Sequence, residues 1–334
     1  MNQSLQKKTL GRNLGILAAI VVFLVFPLVC KSEYVLRVVI MCFIYSLLAS
    51  SLNLISGVTG QISMGHAGFY AIGAYTSALL AMRLGWPVWA GLIAAAVLSA
   101  LAGLLIAWPA MRLSGGYLAI ITLGFAEVIR LMIINFVGLT NGNMGLIGIV
   151  NPVFFGISID TNKKYYYYAF IVVLLVLLLF ANLIASKFGR NLKAIKYDEI
   201  AAEVSGVHVH RTKVIAFMIS TACAGIAGSL YAHLVMYIDP KAFTTDLSTS
   251  VLGMVVLGGM GNQVGVLVSS FVLTILPEVL RGFDRYRMLL YGVLLVVAML
   301  LQTVHFQKTA AWELLERLLH RNQKNSTDAP AKRK

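Results

Sequence analysis

This 334-residue sequence predicts an all-α, polytopic bundle of about ten membrane-spanning helices, and three observations carry the prediction. Hydrophobic residues make up 59% and charged residues only 12%, whereas a soluble domain carries about 25% charged residues and needs them to cover its surface. Apolar runs recur from end to end, most of them near the roughly 20 residues that cross a bilayer as helix. The 27 Lys and Arg against 13 Asp and Glu, a net +14, crowd into segments beside those runs, as inward-facing loops of membrane proteins do. The same excess on a soluble chain would suggest nucleic acid; here membrane lipid is the expected surrounding medium and no nucleic acid is expected.

The runs fall at about 14–30, 35–55, 66–84, 88–108, 117–136, 165–185, 214–234, 248–258, 264–280 and 287–304. Lys7, Lys8 and Arg12 ahead of the first imitate a secretory signal, but Val29-Cys30 offers no small-residue cleavage site, so an uncleaved first span after a segment 1–13 is expected. Trp86 and Trp89 before the fourth run, Trp108 at its end, and Tyr165 to Tyr168 opening the sixth suit the headgroup level. Gly258-Gly-Met-Gly-Asn262 separates two short runs, which are either two tilted spans or one broken helix. The count is therefore ten, with eight or nine as the alternatives.

Orientation follows from charge. Residues 186–213 carry Lys187, Arg190, Lys193, Lys196, Arg211 and Lys213, and the tail 305–334 is also basic, whereas 137–164 and 235–247 are balanced. That places the basic loop and both termini in the cytoplasm, with a permease domain over 14–304. An even span number satisfies this; nine does not. In the tail, 310–321 reads as a short amphipathic helix.

Two Gly-rich elements interrupt the hydrophobic pattern. Ser56-Gly-Val-Thr-Gly-Gln-Ile-Ser-Met-Gly-His-Ala-Gly68 contains Gly57, Gly60, Gln61, Ser63 and His66; the second, Gly258 to Gly265, contains Gly261 and Asn262. Irregular backbone at membrane depth requires protein or a water-filled cavity around it. A pair of such breaks points either to a translocation path or to re-entrant turns and close packing. Small residues also form stripes: Ala67, Ala71, Ala74 and Ala78, and Ser220, Ala224, Gly228 and Ala232. Such stripes let backbones approach, placing these helices inside the bundle.

Glu127 lies near the middle of the fifth run with Arg130 one turn later. The pair is either a substrate- or proton-handling site or a structural ion pair. The chain has no phosphate-binding Gly-x-x-x-x-Gly-Lys-[Ser/Thr] loop and no spaced His/Cys metal motif. No enzyme activity, cofactor or metal is therefore expected, and if the chain transports actively, its energy is expected to arrive from elsewhere. The basic loop offers the entry point: Asn191 is expected to cap a helix running to about Ser205 that Gly206 ends. That helix either seats on a soluble partner or is a solvated basic loop.

Over about residues 35–300 the sequence resembles LivM-type permeases of ATP-binding-cassette importers for branched-chain amino acids. The resemblance rests on Leu52 to Tyr75, Arg112 to Arg130, Val255-Val-Leu-Gly-Gly-Met-Gly-Asn262, the basic loop, and Lys213 to Leu230. It implies a bacterial inner-membrane subunit, assembled with a homologous second permease, two cytoplasmic ATP-binding subunits and a periplasmic amino-acid-binding protein. It further implies that Glu199, Ala201, Ala202 and Gly206, which stand near the family's Glu-Ala-Ala…Gly signature, couple the permease to the ATPases. This chain carries Glu199-Ile-Ala-Ala202, one residue out of register, and lacks the downstream Leu-Pro. The alternative is a stand-alone secondary transporter with Glu127 as its proton carrier.

Overall fold

The computed structural model describes residues 20–30, 32–111, 116–150, 152–154, 157–280, 292, 293 and 296. In chain order the helices are α1 (Ile20–Val29), α2 (Glu33–Leu52), α3 (His66–Leu84), α4 (Val88–Ala110), α5 (Tyr117–Asn135), α6 (Val137–Thr140), α7 (Asn162–Ala185), α8 (Lys187–Tyr197), α9 (Glu199–Val204), α10 (Val209–Val235), α11 (Thr245–Gly258) and α12 (Gln263–Val279). A π-turn, Asn53–Val58, continues α2. Among the described residues, four two-residue strands pair antiparallel: β1 (Leu146–Ile147) with β4 (Tyr237–Ile238), and β2 (Val153–Phe154) with β3 (Ile157–Ser158). The chain divides into two compact units, Met1–Ile275 and Leu276–Lys334. Among the described residues the second holds the end of α12 and helical residues 292, 293 and 296.

Among the described residues, five helical stretches are long and apolar enough to cross a membrane: Glu33–Val58, Val88–Ala110, Tyr117–Asn135, Asn162–Ala185 and Val209–Val235. Ile20–Val29, Thr245–Gly258 and Gln263–Val279 are shorter and apolar. The expected segment 1–13, most of the tenth run and the tail 305–334 with its amphipathic helix lie outside the described residues. With its 19 residues, α3 is about 28 Å long at 1.5 Å per residue. Its Gly, Ala, Ser and Tyr content keeps it off the strongly apolar set, because it faces other helices on most sides.

The core of unit 1 is the meeting of α3, α4 and α10, and small residues set its spacing. Ala67, Ala71, Ala74 and Ala78 on α3, and Ser220, Ala224 and Ala232 on α10, are almost wholly buried. At the crossing, a Cβ on Gly73 would stand 2.1 Å from the Gly225 carbonyl oxygen. One on Gly228 would stand 2.0 Å from that of Tyr70, and one on Gly103 of α4 2.1 Å from Thr221 Oγ1. The backbones of α3 and α10 therefore touch directly, and that of α4 packs on a side chain of α10, the geometry in which helices associate without help from water.

Buried polar side chains fasten the same helices. His66 Nε2 lies 3.0 Å from Ser220 Oγ, whose hydroxyl donates to the Ser51 carbonyl at 2.5 Å, so the imidazole donates. Toward the other end, the Ser229 hydroxyl donates to Ser77 Oγ (2.8 Å), and Ser77 Oγ meets His233 Nε2 (2.9 Å). His233 Nδ1 reaches the Val150 carbonyl (3.1 Å).

Phe43 on α2 centres an aromatic cluster, with ring centroids 5.4 Å from Phe23, 5.2 Å from Tyr166, 5.6 Å from Phe170 and 5.8 Å from Phe271. Of the headgroup belt expected at Tyr165 to Tyr168, the structure turns the first two rings into the protein. Tyr165 and Tyr166 are buried; their hydroxyls donate to the carbonyls of Leu230 (2.5 Å) and Phe23 (2.8 Å). A buried phenol needs a hydrogen-bond partner, and neighbouring helix carbonyls supply one. Trp86, Trp89 and Trp108 at the ends of α4 are exposed, as anchors would be.

Candidate functional site

The basic loop folds as two helices rather than one. Ser186 Oγ accepts from the Gly189 N–H and caps α8, while Asn191, the expected cap, lies inside α8. Leu192 and Ile195 bury one face of α8. The break comes at Asp198, in extended conformation, whose Oδ1 accepts from the Ile200 and Ala201 N–H groups at 2.9 and 3.1 Å and starts α9. An Asp side chain competes for backbone donors and favours caps over helix interiors. Gly206 ends α9 as expected, with φ +86°. Its N–H donates to the Glu203 carbonyl and that of Val207 to the Ala202 carbonyl, the paired bonds of a Schellman cap.

The four coupling candidates occupy different positions. Glu199 forms an ion pair with Lys213 on α10, whose own side chain is buried. Ala202 is 4% exposed and packs inward, while Ala201 and Gly206 are exposed. Glu199 and Ala202 therefore hold α9 against the bundle. What α8 and α9 present outward is a stripe that sequence reasoning missed: Tyr197, Ile200 and Val204, 90%, 76% and 85% exposed. Ile200 and Val204 stand one turn apart on α9, a spacing legible in the sequence, while Tyr197 joins them across the break at Asp198, which only the fold determines.

The two Gly-rich breaks meet. A Cβ on Gly57 would stand 1.9 Å from Asn53 Oδ1 and 2.3 Å from the Gly261 nitrogen. Asn53, wholly buried, accepts from the Gly261 N–H (2.8 Å) and donates to Gln263 Oε1 (3.1 Å). Gly261 has φ +93°, a conformation that side chains resist. Gly258 packs against Gly265 and Val266, closing the α11–α12 turn, and Asn262 Oδ1 accepts from the Gly265 N–H at 3.2 Å. A third element joins: Lys196 of α8 donates from Nζ to the Gly57 carbonyl at 2.6 Å, and its stem lies beside Gly60.

The remaining path candidates separate. The segment 61–65 runs against α5, where the Met64 N–H donates to Thr122 Oγ1 at 3.0 Å. Gln61 Oε1 and Ser63 Oγ are buried without a hydrogen-bond partner among the described residues. The His66 ring turns to α10, as described above. Glu127 and Arg130 form an ion pair on the partly exposed side of α5, the guanidinium Nε reaching the two carboxylate oxygens at 3.0 and 2.9 Å. A carboxylate so held is neutralised in place. Neither Glu127 nor Arg130 joins the Asn53–Gly57–Gly261 junction in any of these bonds.

Residues 34–299 match the family described as branched-chain amino acid transport system / permease component. The chain is similar to the high-affinity branched-chain amino acid transport system permease protein LivM of Salmonella typhimurium. The two are 35% identical over 315 residues, covering 87% of this chain and 74% of that protein. LivM of Escherichia coli is equally similar, at 35% over the same shares. The permease protein LivH of Escherichia coli is 27% identical over 77% of this chain and 88% of its own length. No solved structure matches the chain. With a family match over residues 34–299, helices that suit a multi-pass membrane protein, and LivM proteins 35% identical over 87% of its length, the chain belongs to the permease components of branched-chain amino acid transport systems.

Proposed function

We propose that the chain is the LivM-type membrane subunit of an ATP-binding-cassette importer for branched-chain amino acids. It sits in the bacterial inner membrane with about ten spans and both termini in the cytoplasm. It works with a homologous second permease, two cytoplasmic ATP-binding subunits and a periplasmic amino-acid-binding protein. The domain limits are 14–304 for the permease, with 186–213 as its coupling loop.

The observation that carries this reading is the outward stripe Tyr197, Ile200 and Val204 on short helices braced against the bundle. A group of exposed apolar side chains on a basic, otherwise hydrophilic loop supports a protein-binding surface there. The Glu199–Lys213 pair and the Schellman cap at Gly206 tie that surface to the first turns of α10. A partner that changes shape with bound nucleotide would then shift the populations of two bundle conformations that open to opposite sides. The proton-carrier alternative is less well supported, because Glu127 is already committed to Arg130.

The test is reconstitution in liposomes. The chain with its ATPase, second permease and binding protein takes up leucine only with ATP present on the ATPase side. Uptake by the chain alone, driven by a pH gradient and lost in Glu127→Gln, would establish the secondary transporter instead.

A further inference from the structure

We infer that Lys196 is the positioning residue through which movement of α8 reaches the junction of the two chain breaks, a proposal that rests on the transport function above. Where the π-helical segment Asn53–Val58 ends, its last carbonyls lack partners in a following helical turn and carry the negative end of the helix dipole. The Leu54 carbonyl takes the Thr59 hydroxyl (3.0 Å) and the Ile55 carbonyl takes the Gln61 N–H (3.0 Å), both from the same stretch of chain. The Gly57 carbonyl instead takes the Lys196 ammonium at 2.6 Å, from 139 residues away. That bond is charge-assisted, and the groups around it are partly shielded from water.

What Lys196 grips is not a loose end. Gly57 is fixed by the absence of a side chain, with Asn53 Oδ1 and the Gly261 nitrogen occupying the space. Asn53 in turn binds the Gly261 N–H and Gln263 Oε1. Displacement of Gly57 is thus transmitted to the α11–α12 turn as well as to α2. At its other end Lys196 directly precedes Tyr197, the first residue of the exposed stripe. One side chain therefore stands between the surface that the partner would move and the point where both irregular segments are tied together. A single charge-assisted bond can be made in one conformation of the transporter and broken in the other, as a bistable coupling element requires.

The experiment uses the complete transporter in liposomes and reads leucine taken up per ATP hydrolysed. This ratio distinguishes a coupling link from a simple helix cap, whose loss would lower both rates together. In Lys196→Met the complex assembles and hydrolyses ATP, and the ratio falls about tenfold, the weight of one hydrogen bond to a charged group. Lys196→Arg restores most of the ratio, because a guanidinium also reaches the carbonyl. Lys193→Met, which removes the same charge from the same helix, leaves the ratio at the wild-type value. A wild-type ratio in Lys196→Met, an equal fall in Lys193→Met, or a parallel loss of hydrolysis and uptake overturns the inference alone. Absence of ATP-dependent leucine uptake by the wild-type complex overturns the transport reading and the inference with it.

Discussion

Replacing Ile200 by Asp tests the docking surface directly. Ile200 is 76% exposed and lies between Tyr197 and Val204, which are 90% and 85% exposed, so the change removes no packing from the chain itself. If a partner covers the stripe, burial of the isoleucine is worth about 2 kcal/mol. Losing that term alone weakens association about thirtyfold at 1.36 kcal/mol per factor of ten, before the penalty of burying an unpaired carboxylate is added. The assay is co-purification of the ATPase subunit with the tagged chain, alongside thermal unfolding of the chain in detergent. The expected result is loss of the ATPase with an unchanged unfolding midpoint. Ala202→Arg is the contrast: Ala202 is 4% exposed, so an arginine there must push α9 off the bundle and lower the chain's own stability. Retention of the ATPase by Ile200→Asp at wild-type stoichiometry would refute the reasoning.

Three other perturbations follow from the packing. Gly225→Val should lower thermal stability in detergent by roughly 1–3 kcal/mol or abolish membrane expression, since a Cβ there would meet Ser99 Oγ at 2.3 Å and the Ala95 carbonyl oxygen at 2.6 Å. Arg130→Gln should reduce membrane expression more than the double change Glu127→Gln with Arg130→Gln, because the single change leaves a carboxylate without its partner in a span; equal expression of the two would show that the pair contributes nothing. Gly206→Ala should cost about 1 kcal/mol at the left-handed cap and increase hydrogen exchange at the end of α9, with the membrane helices unaffected.

The chain's own periodicity determined the larger part of the fold. Runs of apolar residues marked the helices because each helix needs its own apolar surface, a local property. The stripes Ala67 to Ala78 and Ser220 to Ala232 identified the innermost helices for the same reason, since small side chains at helical spacing permit close approach and are written in one segment. The αL end at Gly206 was also legible, because glycine alone adopts that conformation without strain.

Tertiary structure decided everything that depends on which surfaces face each other. Asn53 and Gly261 stand 208 positions apart, and no spacing rule pairs two glycine-rich breaks at that distance. His66 lies within the first break, yet its ring serves the α3–α10 contact. Tyr165 and Tyr166 carry the composition of a membrane belt, but their hydroxyls find carbonyls of neighbouring helices. In the basic loop, two alanines of one short helix differ in fate, Ala202 inward and Ala201 outward. Local sequence determines that a helix forms there; only the body it leans on determines which side of it remains free for a partner.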